Sequence, residues 1–100
     1  MKYNSRKLAK WSYALIVCGM FHEIGHIKHN FKYETNEEII YSEYRAELYG
    51  LLMVKKHYPS LLPEIIEYTR NRCLLNRKWR KQFPLHYLAF KKVKLYGERL

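Results

Sequence analysis

One ten-residue stretch limits what this chain can become more than any other: Phe21–Asn30, reading FHEIGHIKHN. It contains H-E-x-x-H as His22-Glu23-Ile24-Gly25-His26, and no proline occurs before it or for many residues after it. On a helix, that spacing sets two imidazoles one turn apart on one face, where both can bind a single zinc ion. The intervening Glu23 stands at the edge of that face, within reach of a water activated by the metal.

The surrounding pattern predicts the helix that this geometry needs. From Ser5 to about Lys28 nothing interrupts helical periodicity, and Asn4 or Ser5 can cap the start. Leu15, Cys18, His22, His26 and His29 follow one another at steps of three and four, so the histidines continue an apolar stripe and should face inward. Gly25, beside His26, leaves space for another backbone to approach the metal.

After a short connection at Phe31–Glu34, Thr35-Asn36-Glu37-Glu38 forms a T-x-x-E capping box ahead of a second helix, Asn36 to Lys56. Ile39, Ile40, Leu48, Leu51, Leu52 and Val54 are its expected buried side, and Tyr58-Pro59 stops it. Pro63 suits the first turn of a third helix running to about Lys81. Pro84 breaks that helix, and a last one should run from Leu85 to about Tyr96, burying Leu85, Leu88, Ala89 and Val93. The expected fold class is all-α: a small bundle of about four helices, with H-E-x-x-H on the first long one.

A third ligand follows from the helix pair. Zinc hydrolases use three protein ligands and leave a fourth position open. In an antiparallel pair with a short loop, His26 lies about one turn before the connection and Glu43 about two turns after it. Glu43 and Glu47, four apart, would repel on an ordinary surface helix; a cation opposite them removes that objection. Glu43 is therefore the expected ligand, with Glu47 orienting His22 or His26. His29 competes as a ligand but reads better as a supporting or core histidine, and His57 and His86 as ordinary helix-end residues. The contrary reading treats Glu43 and Glu47 as a solvated acidic face and His22 and His26 as plain core histidines without metal.

Charge separates the chain into two halves. Residues 1–50 hold seven Lys/Arg against six Glu, whereas residues 51–100 hold twelve against three, within a net charge of +10. The expected organisation is a single domain over 1–100, with a metal-site helix pair in 1–57 and a basic helical half in 58–100. The cluster Arg70, Arg72, Arg77, Lys78, Arg80, Lys81, Lys91, Lys92 and Lys94 suits nucleic acid or an acidic protein partner, or is simply a solubilising surface. Cys18 and Cys73 make no C-x-x-C and no disulfide framework, which fits buried thiols in the cytoplasm. The apolar run Trp11–Phe21 is too short for a bilayer, which takes about 20 residues, and it ends in no cleavage site, so neither a membrane span nor a signal peptide is expected.

The run Phe21-His-Glu-Ile-Gly-His-Ile-Lys-His29, followed by Glu43-Tyr-Arg-Ala46-Glu-Leu-Tyr49-Gly-Leu-Leu-Met53, resembles the ImmA/IrrE family of metallopeptidases. That family carries HExxH and then Glu-x-x-Ala-(Asn/Asp)-x-Phe-Ala-x-x-Leu-Met. The resemblance covers residues 21–53. It implies a gluzincin-like centre in which His22, His26 and Glu43 bind zinc and Glu23 activates water, with Glu47 where the family has Asn or Asp. It also implies a regulatory peptidase acting on a helix-turn-helix repressor of a phage or other mobile element. The alternative is a catalytically inactive, zinc-stabilised protein that engages a regulator or nucleic acid through its basic half; self-association is compatible with either. No residue is identified for stabilising an oxyanion, although Tyr44 and Tyr49 are nearest in sequence.

Overall fold

The computed structural model describes residues 5–29 and 34–97, with side chains over 13–28 and 34–97. Among them it is all-α, with five helices and no strand: α1 (Ser5–His29), α2 (Asn36–His57), α3 (Leu62–Thr69), α4 (Arg77–Gln82) and α5 (Pro84–Lys91). No helix among the described residues is long and apolar enough to cross a membrane.

The frame is the α1–α2 pair. Residue numbers rise along α1 as they fall along α2: a methyl built on Gly50 would meet Cys18 and His22, one on Gly25 would meet Ala46, and Ser42 reaches His26. The helices are therefore antiparallel. α2 begins as its sequence prescribes, for the Thr35 hydroxyl oxygen accepts from the Glu38 backbone N–H at 3.1 Å and donates to the Glu38 carboxylate at 3.0 Å. It ends at His57, before Tyr58-Pro59.

Small residues set how closely the pair packs. A Cβ on Gly25 would lie 3.1 Å from the Ala46 Cα and 3.3 Å from its carbonyl oxygen, and one on Gly50 would lie 3.2 Å from the His22 nitrogen. Those contacts are backbone, which cannot swing aside. Gly19 has nothing within 4 Å of its would-be Cβ. Gly19→Ala should therefore gain the helix-propensity difference of about 0.8–1 kcal/mol and melt roughly 4–8 °C higher. Gly25→Ala should lose that gain to the clash. Thermal denaturation of both variants checks the contrast, and equal shifts would contradict the close approach.

Three details differ from the sequence expectation. The buried side of α2 is Ser42, Glu43, Ala46, Glu47, Gly50, Leu51 and Val54. Ile39, Ile40 and Leu48 are only half-buried and Leu52 is exposed, because the polar and small residues face α1. The helix expected over 63–81 is divided: a π-helical turn, Arg70–Leu74, ends the first part, and Asn76 then caps α4 by accepting from the Trp79 backbone N–H at 3.1 Å. The last helix stops at Lys91; Val93 is extended and the 3-10 turn Lys94–Tyr96 folds inward. Leu88, expected inside, is exposed, while Ala89, Val93 and Tyr96 are buried.

The core joins Ala14, Val17 and Cys18 of α1 and Leu51 and Val54 of α2 to Leu61, Ile65, Leu74, Val93 and Tyr96. It lies beside the inner histidine face of α1, so the second half of the chain closes over the motif.

Candidate metal centre

His22 and His26 project from one face of α1 with ring centroids 4.7 Å apart. Their Nε2 atoms are 3.0 Å apart. From α2, Glu43 places Oε2 3.1 Å from His22 Nε2 and Oε1 3.2 Å from His26 Nε2. A tetrahedral zinc with bonds near 2.0–2.1 Å separates its ligand atoms by about 3.3 Å. The two imidazoles and the Glu43 carboxylate, which gives one oxygen to each ring, thus lie at separations near those of ligands on one zinc.

Two carboxylates compete for the third position. Glu23 offers an oxygen in a group with His22 and His26 whose donor atoms all lie within 4.8 Å of one another, and such a group could hold a metal ion. Glu43 lies 3.1 Å and 3.2 Å from the two Nε2 atoms and is buried, whereas Glu23 is exposed. Burial leaves Glu23 at the solvent side and Glu43 between the rings.

Behind His22 runs a fixed chain of partners. Nδ1 donates to Glu47 Oε2 at 3.1 Å, and Glu47 Oε1 accepts from the Tyr96 hydroxyl at 2.7 Å. Tyr96 is fully buried and Glu47 nearly so. Such a carboxylate–imidazole arrangement fixes the tautomer and aim of a metal-binding histidine. His26 Nδ1 lies 3.4 Å from the Ser42 hydroxyl.

The two carboxylates also set the electrostatics of His22. Burial by itself would lower the His22 pKa, but hydrogen bonds to Glu43 and Glu47 and their charges outweigh it, raising it from 6.5 to about 9. Burial would raise that of Glu43, yet the His22 hydrogen bond and the nearby histidine charges hold it below the ordinary value. A proton on His22 thus serves the two carboxylates when no metal does. Burial pushes the Cys18 thiol up to about 12 and Cys73 to about 11, with Glu47's charge adding to both. Both are free cysteines, Cys18 buried and Cys73 half-buried. Held protonated, they are poor rivals to the imidazoles as ligands.

A pH dependence of the metal-free protein follows. The folded His22 value lies above the unfolded one, so its contribution is complete below about pH 6.5 and disappears as pH rises through about 9. The amount is on the order of 3 kcal/mol. Urea unfolding in chelator at pH 6 and pH 9.5, wild type against His22→Gln, should show a loss in the wild type that the variant lacks. A wild type that gains on the variant over this window would refute the ion pair.

The donors open on a cleft of about 350 Å³, walled by Leu15, Gly19, Tyr68, Thr69 and Phe90. His86, expected as an ordinary helix-end residue, sits in this cleft with Nε2 3.7 Å from Glu43 Oε2. Neither it nor Tyr96 was legible as a site residue. Both arrive from the second half of the chain, His86 through the packing of α5 and Tyr96 through the inward 3-10 turn after it. Tyr44 packs against the core and Tyr49 lies under Lys28, so neither lines the cleft. His57 stacks on Phe21 at the far end of α2, and the side chain of His29 is outside the described residues. The basic residues Arg72, Arg77, Lys78, Arg80, Lys81, Lys91, Lys92 and Lys94 are exposed, with Arg70 half-buried. Comparison of the chain with protein-family models, curated proteins and solved structures gives no match.

Proposed function

We propose that this chain is a small zinc-dependent metallopeptidase, with His22, His26 and Glu43 as zinc ligands and Glu23 as general base. The observation that carries the proposal is the close set of two imidazole Nε2 atoms 3.0 Å apart, each 3.1–3.2 Å from one oxygen of the Glu43 carboxylate, with a cleft before them. Three ligands and an accessible fourth position are the pattern of a catalytic rather than a structural zinc. When bound, zinc supplies Lewis-acid polarisation of a water and of the scissile carbonyl. Glu23 lines the cleft and is free of burial, so it takes the proton as water attacks and returns it to the leaving amine. His86, in the same cleft, is the group for donating a hydrogen bond to the carbonyl oxygen. Glu47 and Tyr96 hold His22 in aim. Following the ImmA/IrrE resemblance, the substrate is a cytoplasmic repressor with a helix-turn-helix domain, encoded with a phage or mobile element.

Metal analysis paired with cleavage of a quenched-fluorescence peptide library tests this. One zinc per chain in the wild type and none in His22→Ala are expected, with hydrolysis abolished by chelation and restored by one equivalent of zinc. A wild type that takes up no divalent metal sinks the centre.

One observation favours a second reading, a binding protein with zinc retained for stability. The Tyr87 ring is bracketed by the Arg80 guanidinium at 5.2 Å and the Lys91 ammonium at 5.7 Å, within the exposed basic surface. Such cation–aromatic clusters suit a phosphate backbone. Bound zinc, no cleavage, and steeply salt-dependent DNA binding would favour it; salt-insensitive or absent DNA binding would remove its nucleic-acid form.

A further inference from the structure

α1 is apolar on two faces. The inner one carries the core residues and the histidines. The outer one carries Tyr13, Ile16, Met20, Ile24 and Ile27, which are 53%, 61%, 60%, 40% and 79% exposed. At 100° per residue these five fall within an arc of about 80°, opposite His22. A helix apolar all round belongs in an interior. Together these side chains leave on the order of 500 Å² open, near the top of the range for the largest patch on a monomer.

The spacing of the stripe says what covers it. Its steps are three, four, four and three, the 3.5-residue period by which one helix packs along another. It is also symmetric about Met20: Ile16 and Ile24 lie four residues to either side, Tyr13 and Ile27 seven. A surface of that kind is complementary to itself under a two-fold rotation, as an isologous interface requires. Two copies closing on each other would remove roughly 1,000 Å² from these side chains alone, the threshold for a specific interface. A lipid surface needs neither the period nor the symmetry. Glu23, three residues after Met20 and four before Ile27, also borders the stripe with a charge that anionic lipid would repel.

We infer that the outer face of α1 is a homodimer interface, formed by antiparallel pairing of two α1 helices about a two-fold axis at Met20. Tyr13 then packs on the partner's Ile27, Ile16 on the partner's Ile24, and Met20 on the partner's Met20. The histidine faces point away from the seam, so the two metal centres stay separate and accessible. Because Glu23 borders the stripe, the partner helix runs along one lip of each cleft.

Sedimentation of the full chain at 10–100 µM tests the interface and crosslinking tests its direction. A species of twice the 12.3 kDa chain mass is expected. Met20→Glu or Ile27→Glu should weaken dimerisation at least tenfold while helical content and metal uptake stay unchanged; two variants guard against one that misfolds. With a short bismaleimide, Met20→Cys should crosslink to itself beyond the wild-type background. Tyr13→Cys and Ile27→Cys should each fail alone and crosslink when mixed. A wild type monomeric at 100 µM overturns the interface, and self-crosslinking of Tyr13→Cys overturns the antiparallel arrangement. A monomer that binds phosphatidylserine vesicles, and loses this with Met20→Glu, would assign the stripe to a membrane and overturn the dimer.

Discussion

Glu23→Gln is expected to lower peptide hydrolysis by about 10²–10⁴-fold while leaving zinc content and melting temperature unchanged. The substitution keeps size and shape and removes only the ability to accept a proton. Glu23 is exposed at the cleft, so its loss should leave no buried donor orphaned. Glu43→Gln should behave differently, because Glu43 is buried between the two rings. Removing its charge takes away a ligand, so metal affinity falls together with activity. The two variants therefore separate base from ligand, the one distinction that donor distances leave open, since both carboxylates approach the histidine pair. A Glu23→Gln protein that cleaves like the wild type would remove Glu23 from the chemistry; one that loses zinc would exchange the two roles.

The largest structural effect is expected at Glu47. Glu47→Ala leaves the Tyr96 hydroxyl and the His22 Nδ1 proton without their carboxylate, one deep in the core and the other beside it. Breaking one side of a buried charged network costs about 3–5 kcal/mol, or roughly 12–40 °C in melting temperature for a domain of this size. Tyr96→Phe removes the other end of the same bond while keeping most of the packed ring, so it should cost less, on the order of 1–2 kcal/mol. In a double-mutant cycle the two losses should not add, because both delete one interaction. Additive losses would mean that the Tyr96–Glu47 bond contributes nothing on its own. Zinc affinity should fall in Glu47→Ala, where His22 loses the partner that fixes its tautomer, and less in Tyr96→Phe, where Glu47 remains but loses its own anchor.

What the sequence disclosed was whatever local chemistry encodes. The T-x-x-E box, the proline stops and the unbroken run before His22 located α1 and α2 to within a residue, since caps and prolines act within one turn. The Gly25 approach was also readable, because a glycine beside a histidine on an inward face has few other uses. Of the buried side of α2, only Leu51 and Val54 were. Ile39, Ile40 and Leu52 look like core by hydropathy, yet Ser42, Glu43 and Glu47 occupy the inside because His22 and His26 satisfy them across the interface. The break at Asn76 was missed because basic helix formers follow it, although Asn is a strong cap. Tyr96 and His86 gave no signal at all. Tyrosine near the end of an expected helix is ordinary; only the inward 3-10 turn makes Tyr96 a partner of Glu47.

That turn also dictates an order of events during synthesis. His22 and His26 leave the ribosome about seventy residues ahead of the tyrosine that steadies His22 through Glu47. Until Tyr96 emerges and tucks in, the emerging polypeptide exposes two imidazoles and a carboxylate with no fixed aim. On the zinc reading proposed above, His22 therefore gains its full aim only once that late segment has folded back.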